Sequence, residues 1–104
     1  MIIVIAKAVA KDDDAKAKII EFSKDLIEKS RAEDGNIDYN LFENTIDGNL
    51  TFVEQWETAE ILQKHMAQEH FIGFGKNIAD LLDGELAIDV FNADRKSTRL
   101  NSSH

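Results

Sequence analysis

Ile2 to Ala10 is an apolar run broken only by Lys7, of a length that suits a β-strand covered on both faces. The acidic triplet Asp12, Asp13, Asp14 follows and can cap a helix while opposing the positive end of its dipole. From there Ala15, Ile19, Phe22, Leu26 and Ile27 recur at helical spacing and predict a helix that ends near Asp34, with Gly35 in the left-handed position beyond it. Asn36 to Asn44 alternates, Ile37, Tyr39, Leu41 and Glu43 against Asp38, Asn40, Phe42 and Asn44. Asp47-Gly48 is a turn signal, so this strand forms a hairpin with the next, Leu50 to Glu57. In that strand Leu50, Phe52, Glu54 and Trp56 share one face. Thr58 is placed to cap a helix in which Ile61, Leu62, His65 and Met66 lie together, so His65 belongs to the apolar side.

Ala67 to Glu69 breaks the axis, and a further helix is expected from about His70, with Phe71, Phe74, Ile78, Leu81 and Leu82 inward. Gly73 and Gly75 are costly inside a helix and suggest that something approaches the backbone closely there. Asp83-Gly84 stops the helix. Glu85 to Phe91 supplies a last strand, with Leu86, Ile88 and Val90 on one face and Ala87, Asp89 and Phe91 on the other. The order β-α-β-β-α(α)-β predicts an α+β fold, a ferredoxin-like four-stranded antiparallel sheet with its helices on one face, over residues 1–93. Such a sheet has a second face, and here that face carries apolar residues of the first strand together with Phe42 and Phe91. Packing two copies sheet to sheet covers it, so a homodimer through the sheet faces is expected.

Residues 94–104, DRKSTRLNSSH, have no periodicity and are expected to be an unstructured tail. They read as the in-frame translation of a sequencing adapter, non-native sequence that stands where the native C-terminus would continue. Within the 104 residues, 12 basic against 20 acidic side chains give a net charge of −8. That excess argues against phosphate-backbone binding and so against a nucleic-acid partner. No stretch approaches the ~18 continuous apolar residues of a membrane span, and MIIVIAKAVAK lacks a basic region ahead of its apolar run, so it reads as a strand and not a signal peptide. Cysteine is absent, which excludes thiolate metal sites and cysteine nucleophiles and is compatible with a cytoplasmic location. His65 and His70 are five apart, not the four that would set two imidazoles on one helical face, and no HExxH or glycine-rich phosphate loop occurs, so neither a metal nor a cofactor is expected.

The stretch Leu50 to Phe74 holds the only Trp and two of the three His. Its segment FVEQWETAEILQKHMAQEHF, with Glu54 and Trp56 ending the strand, His65 nine positions after the Trp and His70 near the next helix start, resembles the antibiotic biosynthesis monooxygenase (ABM) family, in particular its small quinol-monooxygenase-like members. The phrase DGNIDYNLFEN, with Gly35, Tyr39 and Leu41, adds a weaker match. The resemblance runs over roughly Ile2 to Asn92 and is specific only between Phe52 and Phe71. It implies a dimeric α/β barrel that oxidises a small quinol or a phenolic, polyketide-like molecule with O2, using no metal and no flavin. His65 would then be the acid/base. Tyr39 could bond a substrate oxygen, Trp56 and Phe74 would be flat walls for the aromatic ligand, and His70, held toward its neutral form by the helix dipole, would assist in binding. A haem-degrading branch of the same superfamily needs an Asn, a Trp and a haem-ligating His where Lys7, His65 and roughly Gly75 stand here, so that chemistry is not expected.

Plainer roles fit the same positions. His65 could be a structural histidine, His70 a helix-start residue, Trp56 core or dimer packing, Tyr39 a cross-strand partner, and Glu54 the partner of a cation on a neighbouring strand. At the level of function the alternatives are a non-catalytic dimeric module that holds a small aromatic ligand, and a purely structural dimer without an enclosed pocket.

Overall fold

The computed structural model describes residues 1–93; the expected tail at 94–104 lies outside them. Strand β1 (Ile2–Ala8) leads into helix α1 (Asp13–Arg31), strands β2 (Asn36–Glu43) and β3 (Leu50–Trp56), helices α2 (Ala59–Met66) and α3 (Glu69–Ile78), a 3-10 turn (Ala79–Leu81) and strand β4 (Ala87–Asn92). The sheet order is β2-β3-β1-β4 and every pairing is antiparallel. This is the α+β, ferredoxin-like arrangement, and the helices lie against one face.

The alternation along the strands decides what that face buries. Leu50, Phe52, Glu54 and Trp56 of β3 and Ile2, Val4, Ala6 and Ala8 of β1 all point inward and are buried. Register extends the inner face across the sheet, so that Tyr39, Glu54, Val4 and Val90 form one row and Leu41, Phe52, Ala6 and Ile88 the next. On the opposite face Phe91, Ile3, Ile5, Val53 and Phe42 trace a diagonal apolar band, beside Lys7, which is exposed there.

Asp12 and Thr58 cap α1 and α2 as expected, accepting from the amides of Ala15 at 2.7 Å and Ile61 at 3.1 Å. Helix α1, however, stops at Arg31, three residues short of the expected end, because the amides of Ala32 and Glu33 turn back three residues onto the carbonyls of Lys29 and Ser30, tightening the last turn. Gly35 has the left-handed φ of 86° foreseen for it, immediately before strand β2, and a Cβ there would collide with the Ile61 side chain.

The buried stripe of α1 is Ala15, Ile19, Ser23, Leu26 and Ser30, and Phe22, expected inward, is 41% exposed. Spacings of four, four, three and four keep that stripe on one side of a 3.6-residue helix, and Phe22 falls off its edge. Gly73 and Gly75 also differ from expectation, since nothing approaches within 4 Å of where their Cβ atoms would stand. The last strand begins at Ala87, two residues late, and all its residues are exposed.

Candidate functional site

Between the inner face of the sheet and helices α1, α2 and α3 lies a chamber of about 50 Å³ that is open at one side. Tyr39, Phe52, Glu54, His65, Phe71 and Phe74 contribute to its walls, and Ile88 and Val90 of β4 stand at the side the helices leave uncovered. The lining is almost wholly apolar, and its few polar atoms are therefore poorly hydrated and well placed to orient a ligand.

His65 is 1% exposed. Its Nδ1 lies 2.7 Å from Oε2 of Glu33, and the same carboxylate oxygen lies 2.6 Å from Nε2 of His70. A carboxylate can only accept, so each ring nitrogen donates to it. That fixes His65 as the Nδ1–H tautomer whenever the ring is neutral and leaves Nε2 as a lone pair. Nε2 is buried and has no hydrogen-bond partner. Burial holds this imidazole below its ordinary pKa, an effect that the hydrogen bond and charge of Glu33 only partly offset. The ring also touches Trp56, with centroids 4.5 Å apart, Phe71 at 5.0 Å and Tyr39 at 5.5 Å, so its orientation is set by packing as well as by Glu33.

A second polar group sits on β3. Glu54 is 5% exposed, and its Oε1 accepts from the indole Nε1 of Trp56 at 3.0 Å. The expected partnership with a cation of a neighbouring strand is not made, and no ion pair involves Glu54 among the described residues; its row neighbours on the sheet are Tyr39 and Val4. Burial without a counter-charge raises its carboxyl to about 7, against the hydrogen bonds from Trp56 and Tyr39 that favour the anion. The Tyr39 hydroxyl, beside Glu54 and Ser30, is driven well above the usual phenol range, chiefly by burial.

Of the residues expected at the site, His65, Tyr39 and Phe74 line the chamber. Trp56 does not. Instead of a flat wall it is a fully buried backing behind His65, joined to Glu54. His70 is outside the chamber as well, on a groove between α1 and α3, and meets His65 both across Glu33 and ring to ring, with centroids 5.9 Å apart. Two residues of the site are not among those expected there, Glu33 and Glu54, although Glu54 marks the family resemblance and is expected to pair with a cation. Glu54 carried a usable signal, a charge at an inward position of a strand whose other inward residues are Leu50, Phe52 and Trp56. Glu33 carried none, because its contact with His65 spans 32 positions and it sits in an irregular link.

Glu33, His65 and His70 also have the donor types of a metal site, with one atom from each lying within 4.8 Å of the others. The two N···O separations of 2.6 and 2.7 Å are hydrogen-bond lengths. Two ligands on one tetrahedral ion stand about 3.3 Å apart, given metal–ligand distances of ~2.0–2.1 Å. The cluster as it stands is a pair of hydrogen bonds sharing one acceptor.

The family model described as antibiotic biosynthesis monooxygenase matches residues 1–77. Among curated proteins, YcnE of Bacillus subtilis, whose name places it provisionally among monooxygenases, is 33% identical over 75 residues, covering 70% of this chain and 78% of that protein. The uncharacterized protein sll1783 of Synechocystis is 31% identical over 97 residues, 92% of this chain; the chain spans 66% of that relative's length. Among solved structures, Rv0793 of Mycobacterium tuberculosis superposes with a TM-score of 0.84 at 27% identity, covering 92% of this chain and 98% of that one.

Proposed function

The chain belongs to the antibiotic biosynthesis monooxygenase family, and from that premise we propose that it is a monooxygenase that uses O2, without a metal or flavin, to oxidise a small quinol or a phenolic, polyketide-like substrate in the chamber. The observation that carries this reading is the His65 imidazole, held through Nδ1 by Glu33 with its buried Nε2 unpartnered, on the wall of an aromatic, largely apolar chamber. A base so placed takes the proton of a substrate hydroxyl that lies against it.

The anion so formed is electron-rich enough to reduce O2 by one electron, and recombination of the two radicals forms a C–O bond to the ring. His65 returns its proton to the distal oxygen and a ring hydroperoxide results. Loss of water from that hydroperoxide completes the sequence, quinol plus O2 giving hydroxyquinone plus water, with all four electrons drawn from the substrate. Apolar walls serve this chemistry by keeping water from the radical pair and the peroxide. Tyr39 and Phe74 bind the ring, Trp56 supports His65 from behind, and His70 acts through Glu33. The working unit is a homodimer joined by the outer sheet faces, in the cytoplasm. No helix among the described residues is long and apolar enough to cross a membrane.

The test is O2 consumption with a panel of reduced naphthoquinols, benzoquinols and anthrones. Turnover is expected with at least one of them and is lost in His65→Ala while sedimentation still reports a dimer. Turnover unaffected by His65→Ala, or absent from the whole panel, would replace this reading with that of a ligand-binding module.

A further inference from the structure

The hydroperoxide half of this sequence has proton transfers of its own, at the oxygenated ring carbon, which a second carrier beside His65 would serve. One proton must leave the oxygenated ring carbon as the O–O bond breaks. The C–H electron pair becomes the second bond of the new carbonyl, and the distal oxygen departs as hydroxide, which takes up a proton to become water. His65 has by then returned its own proton to the peroxide. The group required accepts one proton and gives one back within the same chamber.

Building on the reading above, we propose that Glu54 is a second catalytic residue of the chamber, the proton carrier for this water-eliminating step. Four observations converge on it. The carboxyl lies on central strand β3, in the cross-strand row Tyr39, Glu54, Val4, Val90, on the chamber wall. It is 5% exposed, with no ion pair among the described residues to hold it as an anion. Its Oε1 is held by the Trp56 indole and the Tyr39 hydroxyl stands beside it, so the carboxyl has a set orientation. The indole that holds it packs its ring on His65, which puts both proton carriers on one rigid aromatic support.

A buried carboxyl without a counter-charge, even one held by hydrogen bonds from Trp56 and Tyr39, is costly for a fold and calls for a use. The groups that face it from packed elements are Tyr39 on β2, His65 on α2 and Glu33 in the α1–β2 link, with Ser30 of α1 beside the Tyr39 hydroxyl; none is a fixed cation. Its shift to about 7 suits the task, because a carrier that both takes and returns a proton is most effective when its pKa is near the working pH.

Glu54→Gln tests this. The amide keeps the shape, and its oxygen can still accept from the indole, but it cannot carry a proton. O2 should still be consumed, while hydroxyquinone formation falls by about 100-fold. The stranded hydroperoxide then decays to quinone plus hydrogen peroxide, a balanced loss of two electrons in place of four. The expected result is therefore a product switch, quinone and peroxide for hydroxyquinone and water, with KM little changed. Glu54→Asp, which keeps a carboxyl, should restore part of the coupled product. Glu54→Gln giving hydroxyquinone at the wild-type rate and no peroxide would overturn the proposal. A second arm needs no turnover. Carbon-13 NMR of the glutamate carboxyls, with Glu54→Gln identifying its signal, should show that group titrating near neutrality in the substrate-free protein. Titration below about 5, in the range of ordinary carboxyls, would overturn the role of Glu54 whether or not any quinol is oxidised. Failure of the whole substrate panel would instead count against the oxygenase reading alone.

Discussion

Oε2 of Glu33 lies 2.7 Å from Nδ1 of His65, so a carboxylate at the helix–strand link dictates which nitrogen of a buried imidazole carries the free lone pair. Removing the charge while keeping the shape isolates that control. In Glu33→Gln the His65 ring loses the hydrogen bond and charge that raise its pKa, so the desolvation that lowers it acts unopposed. The acid limb of kcat/KM should move to lower pH, because the ring stays neutral further into acid. The plateau should fall by roughly 10- to 100-fold, since the wrong tautomer becomes accessible. A pH–rate profile identical to that of the wild type would show that Glu33 does not govern His65.

The two buried titrating groups make opposite contributions to stability. His65 is lowered below its unfolded value, so the unfolded chain binds protons more readily and stability falls as pH drops below about 6.5. Glu54 is raised from 4.5 to about 7, so the folded chain binds its proton more readily. Stability is then full below about 4.5 and is lost as pH climbs through 7, by about 3 kcal/mol for this group alone. Urea denaturation of the wild type and Glu54→Gln at pH 5 and pH 8 checks the sign. The variant should lose less stability than the wild type on going to pH 8. An equal loss would place the Glu54 carboxyl in its ordinary range.

Much of the fold was legible because local rules and tertiary packing agree. The alternation of Leu50, Phe52, Glu54 and Trp56 is that of a half-buried strand, and Asp12 and Thr58 make the cap bonds that their side chains suggest. The placement of Phe22 shows the limit of ranking side chains by hydrophobicity alone. Phe22 seemed a better core residue than Ser23, yet the helix meets the sheet along the line that includes Ser23 and Ser30, where small side chains allow close approach. Trp56 is equally a matter of depth. Alternation establishes that it points inward, but its burial behind His65 depends on where α2 lands, which no local pattern encodes. Glu33 reaches its partners from a link in which periodicity has already ended.

Gly35 couples that link to α2. Its φ of 86° disfavours any side chain, and a Cβ would strike Ile61. Gly35→Ala should cost about 2 kcal/mol or more in urea denaturation. Trimming the obstacle in Gly35→Ala/Ile61→Ala should return the steric part, making the double variant less unstable than the sum of the single ones. Strict additivity would show that backbone strain alone sets the cost. Because Gly35 lies two residues after Glu33, the single variant should also disturb the carboxylate and reduce turnover.

The outer sheet face sets up the last prediction. Phe91 pairs with Ile3, Ile5 with Val53, and Phe42 lies beyond Thr51 in the adjoining row, so the apolar band crosses all four strands. Phe42 and Phe91 are 55% and 49% exposed in the single subunit. A band of this kind is what a twofold sheet-to-sheet contact buries, and residues near its axis meet their own copies. Val53→Lys puts a charge on the central strand, where the two copies of one residue would approach each other without a counter-ion. Sedimentation should then report a monomer in place of a dimer. The chamber is on the opposite face, so ligand binding by the monomer separates two roles for assembly. Retained affinity would mean that each chamber is complete in one subunit, and lost affinity with an intact circular dichroism spectrum would mean that dimerisation shapes it. A wild-type protein that sediments as a monomer, or a Val53→Lys variant that remains a dimer, would rule out the sheet faces as the contact.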